Sequence, residues 1–261
     1  MNKREHVFIP DTQVKPGVPI EHIIAAGNYV ASRTPDVIVF AGDWWDMHSL
    51  GVYDVGKKAG EGARYQEDIV AGYEAMEKFM APIQRVNVNR RRQKLKLWEP
   101  ELHFTTGNHE HRITRHVENY PVLSGTLSLD DLQLESFGIR RHPFLRAVDI
   151  DGILYSHYFV RNSHGKVLQT RRGSPSASAQ VKREFQSCTA GHTQGLDIHI
   201  QPSSTGLHWG IIAGSFYMHN EDYLSPQGTI HWKGIIYKHQ VSNGEYDPMF
   251  VSMDYLLEQW L

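Results

Sequence analysis

Five short segments carry oxygen and imidazole donors at the ends of apolar runs. They are Asp11-Thr12-Gln13, Gly42-Asp43-Trp44-Trp45-Asp46, Gly107-Asn108-His109-Glu110, His157 within YSHYF, and Gly191-His192-Thr193-Gln194. Singly each is weak, since an Asp after a strand most often caps a helix. Together, in one order and each at a strand end, they form a set of carboxylate, amide and imidazole donors, which suits divalent metal ions. The composition agrees: 16 His stand against one Cys, Cys188. That excludes an intramolecular disulfide and a Cys-rich zinc site and points to a reducing, cytoplasmic compartment.

Positioning such a set requires strands that end together. HVFIPD (6–11), DVIVFAGD (36–43) and ELHFTTGNHE (101–110) read as strands, and residues 19–32 and 64–83 as helices between them. Alternation of this kind implies a parallel sheet with crossover helices, with its site at the loops after the strands. ILYSHYF (153–159), SCTAGHTQ (187–194), HWGIIAGSFY (208–217), TIHWKGIIYKHQ (229–240) and MFVSMD (249–254) read as short strands of a second, mixed or antiparallel sheet. No linker separates the halves. The expectation is one domain over 1–261, with two sheets face to face and helices outside.

The set D-x-[H/Q], G-D-x-x-D, G-N-H-E, a lone His and G-H-x-[H/Q] resembles the calcineurin-like metallophosphoesterase superfamily over residues 6–199. The compact size and the G-H-T-Q variant are similar to small bacterial or virus-encoded members, whose compartment would be the host cytoplasm in the viral case. The resemblance implies a four-layer α/β/β/α sandwich of two mixed sheets flanked by helices, holding two divalent metals at the carboxyl ends of its strands. It implies that Asp43 bridges both metals, that Asn108, His157 and His192 complete one site, and that Asp11, Gln13 and Gln194 sit at the other. His109 matches the catalytic histidine and Asp46 the acid that orients it.

The chemistry has independent physical reasons. A phosphate ester is an anion that repels hydroxide, so its hydrolysis needs positive charge on the phosphoryl oxygens and a nucleophile at neutral pH. Two metals roughly 3.5–4 Å apart supply both, because a water bridging them is acidified enough to attack in line. A protonated His109 serves the leaving oxygen, a role commonly worth ~10²–10⁴ in rate, and Asp46 raises its proton affinity. Many members of the superfamily have His where this chain has Gln13 and Gln194, both at one metal. Amide oxygen is harder and weaker than imidazole, so that site is expected to bind loosely and to prefer Mn²⁺, with Mg²⁺, Fe²⁺ or Zn²⁺ as alternatives. His199 is an alternative ligand there.

Charge narrows the substrate. The net charge is −2, so the whole protein is no basic nucleic-acid binder. Yet residues 84–96 hold six basic side chains and no acid, as do residues 161–183 (Arg161, Lys166, Arg171, Arg172, Lys182, Arg183). Read as a basic insertion around 84–100 and a basic segment at 161–183, they form either solvated loops or a phosphate-facing rim. Arg90, Arg91, Arg92 and Arg112 are the candidate substrate-binding residues, with Arg115, His111 and His116 nearby. One of Trp44 and Trp45 belongs to the core, and the other is available to stack on a base. Cys188 reads as a buried apolar residue.

The reading is a metal-dependent phosphodiesterase, nuclease-like, with DNA or RNA among its possible substrates. The alternatives are a phosphomonoesterase or nucleotide phosphatase, metal-assisted hydrolysis of another bond, and a non-catalytic nucleic-acid-binding member of the fold. No apolar stretch approaches the roughly 18 residues of a membrane helix, and MNKREHVFIPD lacks the apolar run of a signal peptide.

Overall fold

The computed structural model describes residues 3–51, 61–161, 166–168, 176–204, 206–220 and 231–261. The elements begin with β1 (Arg4–Ile9), α1 (Glu21–Arg33), β2 (Val37–Phe40), α2 (Tyr65–Arg92), β3 (Glu101–Thr105), α3 (His111–Asn119), β4 (Arg140–His142) and β5 (Val148–Ile150). There follow β6 (Ile153–Ser156), α4 (Ala177–Glu184), β7 (Ser187–Ala190), β8 (Asp197–Ser203), β9 (Gly206–Ile212), β10 (Gly234–Ser242), β11 (Glu245–Ser252) and α5 (Met253–Trp260).

β2 is buried at every position and lies parallel between β1 and β3, as befits a strand with no polar face. The first sheet has six strands in the order β11-β10-β1-β2-β3-β4, and the second has five in the order β5-β6-β7-β9-β8. Both are mixed: β1 to β4 run parallel, β10 runs antiparallel to β1 and β11 antiparallel to β10, and β6-β7-β9 form a parallel centre with antiparallel edges. This corrects one expectation. β10 and β11 do not join the second sheet; β10 returns to pair with β1, Phe8 opposite Ile236. Their pattern announces strands, but the choice of partner is a long-range one that local alternation does not contain.

Side chains alternate faces along a strand, and β1 uses both. Val7 and Ile9 pack with Ile23 and Tyr29 of α1 and Phe79 of α2. Phe8 points the other way, with Val37 and Val39, toward Ile153, Tyr155 and Ile211 of the second sheet. On the far face of that sheet, Val181 of α4 meets Cys188 and Ala190. The chain is thus α/β, with two facing mixed sheets and helices on their outer sides. One amine enters the layer between the sheets: fully buried Lys238 of β10 donates to Tyr155 Oη at 3.1 Å and Thr189 Oγ1 at 2.6 Å. Burial holds its pKa well below the ordinary lysine value. His6 of β1 also reaches across, with Nδ1 2.9 Å from Tyr155 Oη and Nε2 2.9 Å from Asp151 Oδ2.

α2 has 28 residues, a rod of about 42 Å at 1.5 Å rise per residue. Its first turns lie beside the loop after β2, where Ser49 N donates to Asp68 Oδ2 at 2.8 Å. Its last turns lie at the opposite end of the sheet. There Asn87 exchanges two hydrogen bonds with the Trp98 backbone, and Trp98 Nε1 donates to Pro35 O, just before β2 begins. Residues 84–92 are therefore helix, not the start of an inserted loop. Arg90, Arg91 and Arg92 sit at the sheet end remote from the loops that follow β1, β2 and β3.

Trp44 and Trp45 are both buried, and each indole donates to α2: Trp44 Nε1 to Gly72 O at 3.0 Å, Trp45 Nε1 to Ile69 O at 3.2 Å. Neither is available to stack on a substrate, contrary to the expectation for one of them. Gly72 is what lets α2 approach, since a Cβ there would fall inside the Trp45 indole. Gly72→Ala should lower unfolding stability by about 1–3 kcal/mol through overpacking, although Ala alone favours a helix by about 1 kcal/mol. Urea titration checks this, and equal or higher stability would contradict the contact.

Candidate metal centre

Asp11 follows β1, Asp43 follows β2, Asn108 and His109 follow β3, His157 follows β6 and His192 follows β7. All lie beyond the carboxyl ends of parallel strands, where α/β sheets build their sites. The ligating atoms of Asp43, His157 and His192 lie within 4.8 Å of one another. Asp43 comes from one sheet and the two histidines from the other. Asn108 Oδ1 is 2.9 Å from His157 Nε2, which is itself 3.3 Å from Asp43 Oδ2. The four residues assigned by resemblance to one metal thus converge.

The backbone strains to make this arrangement. Gln13, Asp43, His192 and Gln194 all have φ between 43° and 71°, a region that L side chains occupy at a cost and that concentrates at functional sites. The loops after β1 and β2 run side by side, with Gln13 N donating to Asp43 O at 2.8 Å and Val14 N to Trp44 O at 2.8 Å. Gly107 must be glycine, because a side chain there would collide with the Asp43 carboxylate.

His157 Nδ1 lies 2.8 Å from Ala41 O. A proton on that nitrogen leaves Nε2 as the donor atom facing Asp43, the usual second hydrogen bond of a metal-binding imidazole. Burial opposes charge on His157, but Asp43, its hydrogen bond and Asp11 overcome it and raise the pKa to about 9. Burial and the neighbouring His157 lower His192 to about 4, leaving that ring neutral. Burial would raise Asp43, yet His109, His157 and His192 hold it far below the carboxylate range. A proton between His157 and Asp43 stands where a cation would draw its ligands, and cation binding would release it.

The residues assigned to the second metal are less uniform. Asp11 is fully buried and accepts from His192 N at 3.0 Å on each oxygen. Burial first, and then Asp43, push its pKa upward. Gln13 is buried with neither amide atom hydrogen-bonded, an arrangement that costs about 1–3 kcal/mol unless something coordinates it. Gln194 Oε1 instead accepts from Tyr217 Oη at 2.8 Å. His199 lies on β8 with Nε2 3.4 Å from Gln201 Oε1, and does not join the set.

His109 sits against the cluster, with Nε2 3.7 Å from Asp43 Oδ2 and Nδ1 2.8 Å from Asp46 Oδ1. Burial disfavours its charge, but Asp43 and the Asp46 hydrogen bond outweigh that and raise its pKa. Arg112 Nη2 lies 3.1 Å from His109 Nε2, and its Nη1 donates to Asp46 O at 2.8 Å. The Arg112 contact suits a neutral ring, but two buried carboxylates outweigh one partly exposed guanidinium and favour the proton. Asp46 is held near about 2, against its own burial, by His109, Lys15 and Arg112.

Glu110 has a function that its type and position did not announce. It is fully buried and accepts from Asp43 N, Trp45 N and Gly107 N at 2.9, 3.0 and 2.9 Å. The loops after β2 and β3 are tied through this one carboxylate, whose pKa burial raises. The only sequence signal was its place as the last residue of G-N-H-E.

Other candidates are placed elsewhere. His116 packs on Tyr120, 4.9 Å between rings, and Arg115 is exposed on α3. Lys182 and Arg183 belong to α4, and Arg183 donates to Arg161 O at 2.6 Å. Arg171 and Arg172 lie outside the described residues. Cys188 is buried, its pKa pushed up to about 12 by burial, as an apolar residue and not a nucleophile. Among the described residues no helix is long and apolar enough to cross a membrane. No family model matches the chain, and no curated protein matches it.

Proposed function

We propose that this protein is a metal-dependent phosphoesterase of the calcineurin-like type, a four-layer α/β/β/α sandwich acting on phosphodiesters. The observation that carries the reading is the convergence of Asp43, His157 and His192 within 4.8 Å, contributed by both sheets, with the His109–Asp46 pair beside them. The donor set fits a divalent cation: one carboxylate, two imidazoles and the Asn108 amide. Asp11 and the unbonded Gln13 amide would hold a second, with Mn²⁺ the best match to that oxygen-rich set.

Bound there, such ions supply positive charge to the phosphoryl oxygens and an acidified water. The protein's own part is positional and protolytic. Glu110 fixes the two loops that carry Asp43, Asn108 and His109. Asp46 holds His109 by Nδ1, so that its Nε2 faces Asp43 and can give a proton to the departing oxygen. Preference for a diester rests on charge. A monoester is a dianion, whereas among the described residues Lys15 and Arg112, the cations beside His109, are both paired with Asp46. With Arg90–Arg92 remote, the polynucleotide variant of the reading rests on residues 161–183 alone.

The test is metal content measured alongside hydrolysis of bis(p-nitrophenyl) phosphate and p-nitrophenyl phosphate. The diester should be cleaved faster, with activity rising on addition of Mn²⁺. Gln13→His should raise zinc retained after dialysis relative to manganese. Absence of hydrolysis with every metal tested, or activity undiminished by chelation, would overturn the reading.

A further inference from the structure

An aromatic chain leads away from the metal-binding imidazoles. The His192 ring lies 4.5 Å from Tyr158, Tyr158 meets Phe144 edge-on at 5.8 Å, and Phe144 stacks on His111 at 4.4 Å and 20°. Phe144 and His111 are only half-buried. Tyr158 is buried, but among the described residues none of the three apolar core clusters takes in Phe144. The loop between β4 and β5 holds Phe144 at a backbone cost, since the next residue, Leu145, has φ 63°. Positive φ in a branched side chain is uncommon outside sites that require it. His111 directly follows Glu110 and opens α3, so this end of the chain is covalently close to His109. Burial lowers the pKa of His111, which favours the uncharged ring for stacking.

We infer that Phe144 and His111 form a stacking ledge for a flat ring on the substrate, which makes the substrate a nucleoside phosphate ester and not a sugar or alkyl phosphate. The inference rests on the phosphoesterase reading, because His192 at the ledge's inner end is taken to face the phosphate. Phosphate at the metal cluster and ring on the ledge are then bound by adjoining residues. A core explanation for Phe144 does not account for its absence from the core clusters or for the strained residue beside it. Stacking is tolerant of base identity, so the ledge selects for a ring without reading which base it is.

The experiment compares the methyl diester of adenosine 5′-monophosphate with the methyl diester of ribose 5-phosphate, titrated calorimetrically into wild type with Mn²⁺ present. Both offer the same phosphate, and only one has the ring. Wild type should bind the nucleotide about tenfold more tightly. Phe144→Leu should bring the ratio close to one, and Phe144→Tyr should keep it. A wild-type ratio near one, or a ratio unaltered in Phe144→Leu, would overturn the ledge and leave the phosphoesterase reading standing. If neither ligand binds, the phosphate site itself fails and the ledge falls with it.

Discussion

Asp43→Asn is expected to lower diester hydrolysis by roughly 10³-fold or more while the protein stays folded. On the proposed reading, charge stabilisation by ions held at Asp43 would be worth several kcal/mol, at about 1.4 kcal/mol per tenfold in rate. The substitution keeps the shape of the side chain and removes the one carboxylate facing both His157 and His109, at 3.3 and 3.7 Å. Metal content should fall with activity, because His157, His192 and Asn108 are neutral donors without it. Circular dichroism and a near-normal melting profile would separate this from unfolding. Activity at a tenth of wild type or more would sink the assignment of Asp43 and the reading built on it.

His109→Asn should separate proton transfer from cation binding. The expected loss in kcat is roughly 10²–10⁴, with metal content close to wild type, since the assigned ligands are other residues. The loss should be large for an alkyl leaving group and small for p-nitrophenolate, which departs without a proton. Asp46→Asn should follow the same pattern more weakly, because it acts through the 2.8 Å contact with His109. Equal losses for good and poor leaving groups would mean that the His109 side chain acts on Asp43, whose Oδ2 lies 3.7 Å from its Nε2, and not as a proton donor.

The sequence made much of this site legible because the donors are chemically distinctive and each ends a strand. Asp43, Asn108, His157 and His192 come together, the grouping that the resemblance implied. What stayed hidden depends on distant contacts. The helical rhythm fades after Ile83 because α2 runs past the core into solvent, so residues 84–92 looked like a loop. Trp44 and Trp45 both turn inward only because α2 passes over them with a glycine at the crossing. The partner of β10 is more than 220 residues away in sequence, and no local pattern encodes it. Glu110 resembles any motif glutamate until three backbone N–H groups are found pointing at it.

Lys238 has a consequence for how the molecule is aligned. Its amine extends from the first sheet to Tyr155 and Thr189 of the second, two and three positions before His157 and His192. An apolar interface alone tolerates sliding, since one methyl contact replaces another. An amine parted from both oxygens in that layer would be left without partners, at a cost of several kcal/mol. A methionine of similar size would fill the space without that requirement, whereas the lysine, by its two hydrogen bonds, keys the two sheets to a single relative position. That is the position at which Asp43 from one sheet meets the histidines of the other.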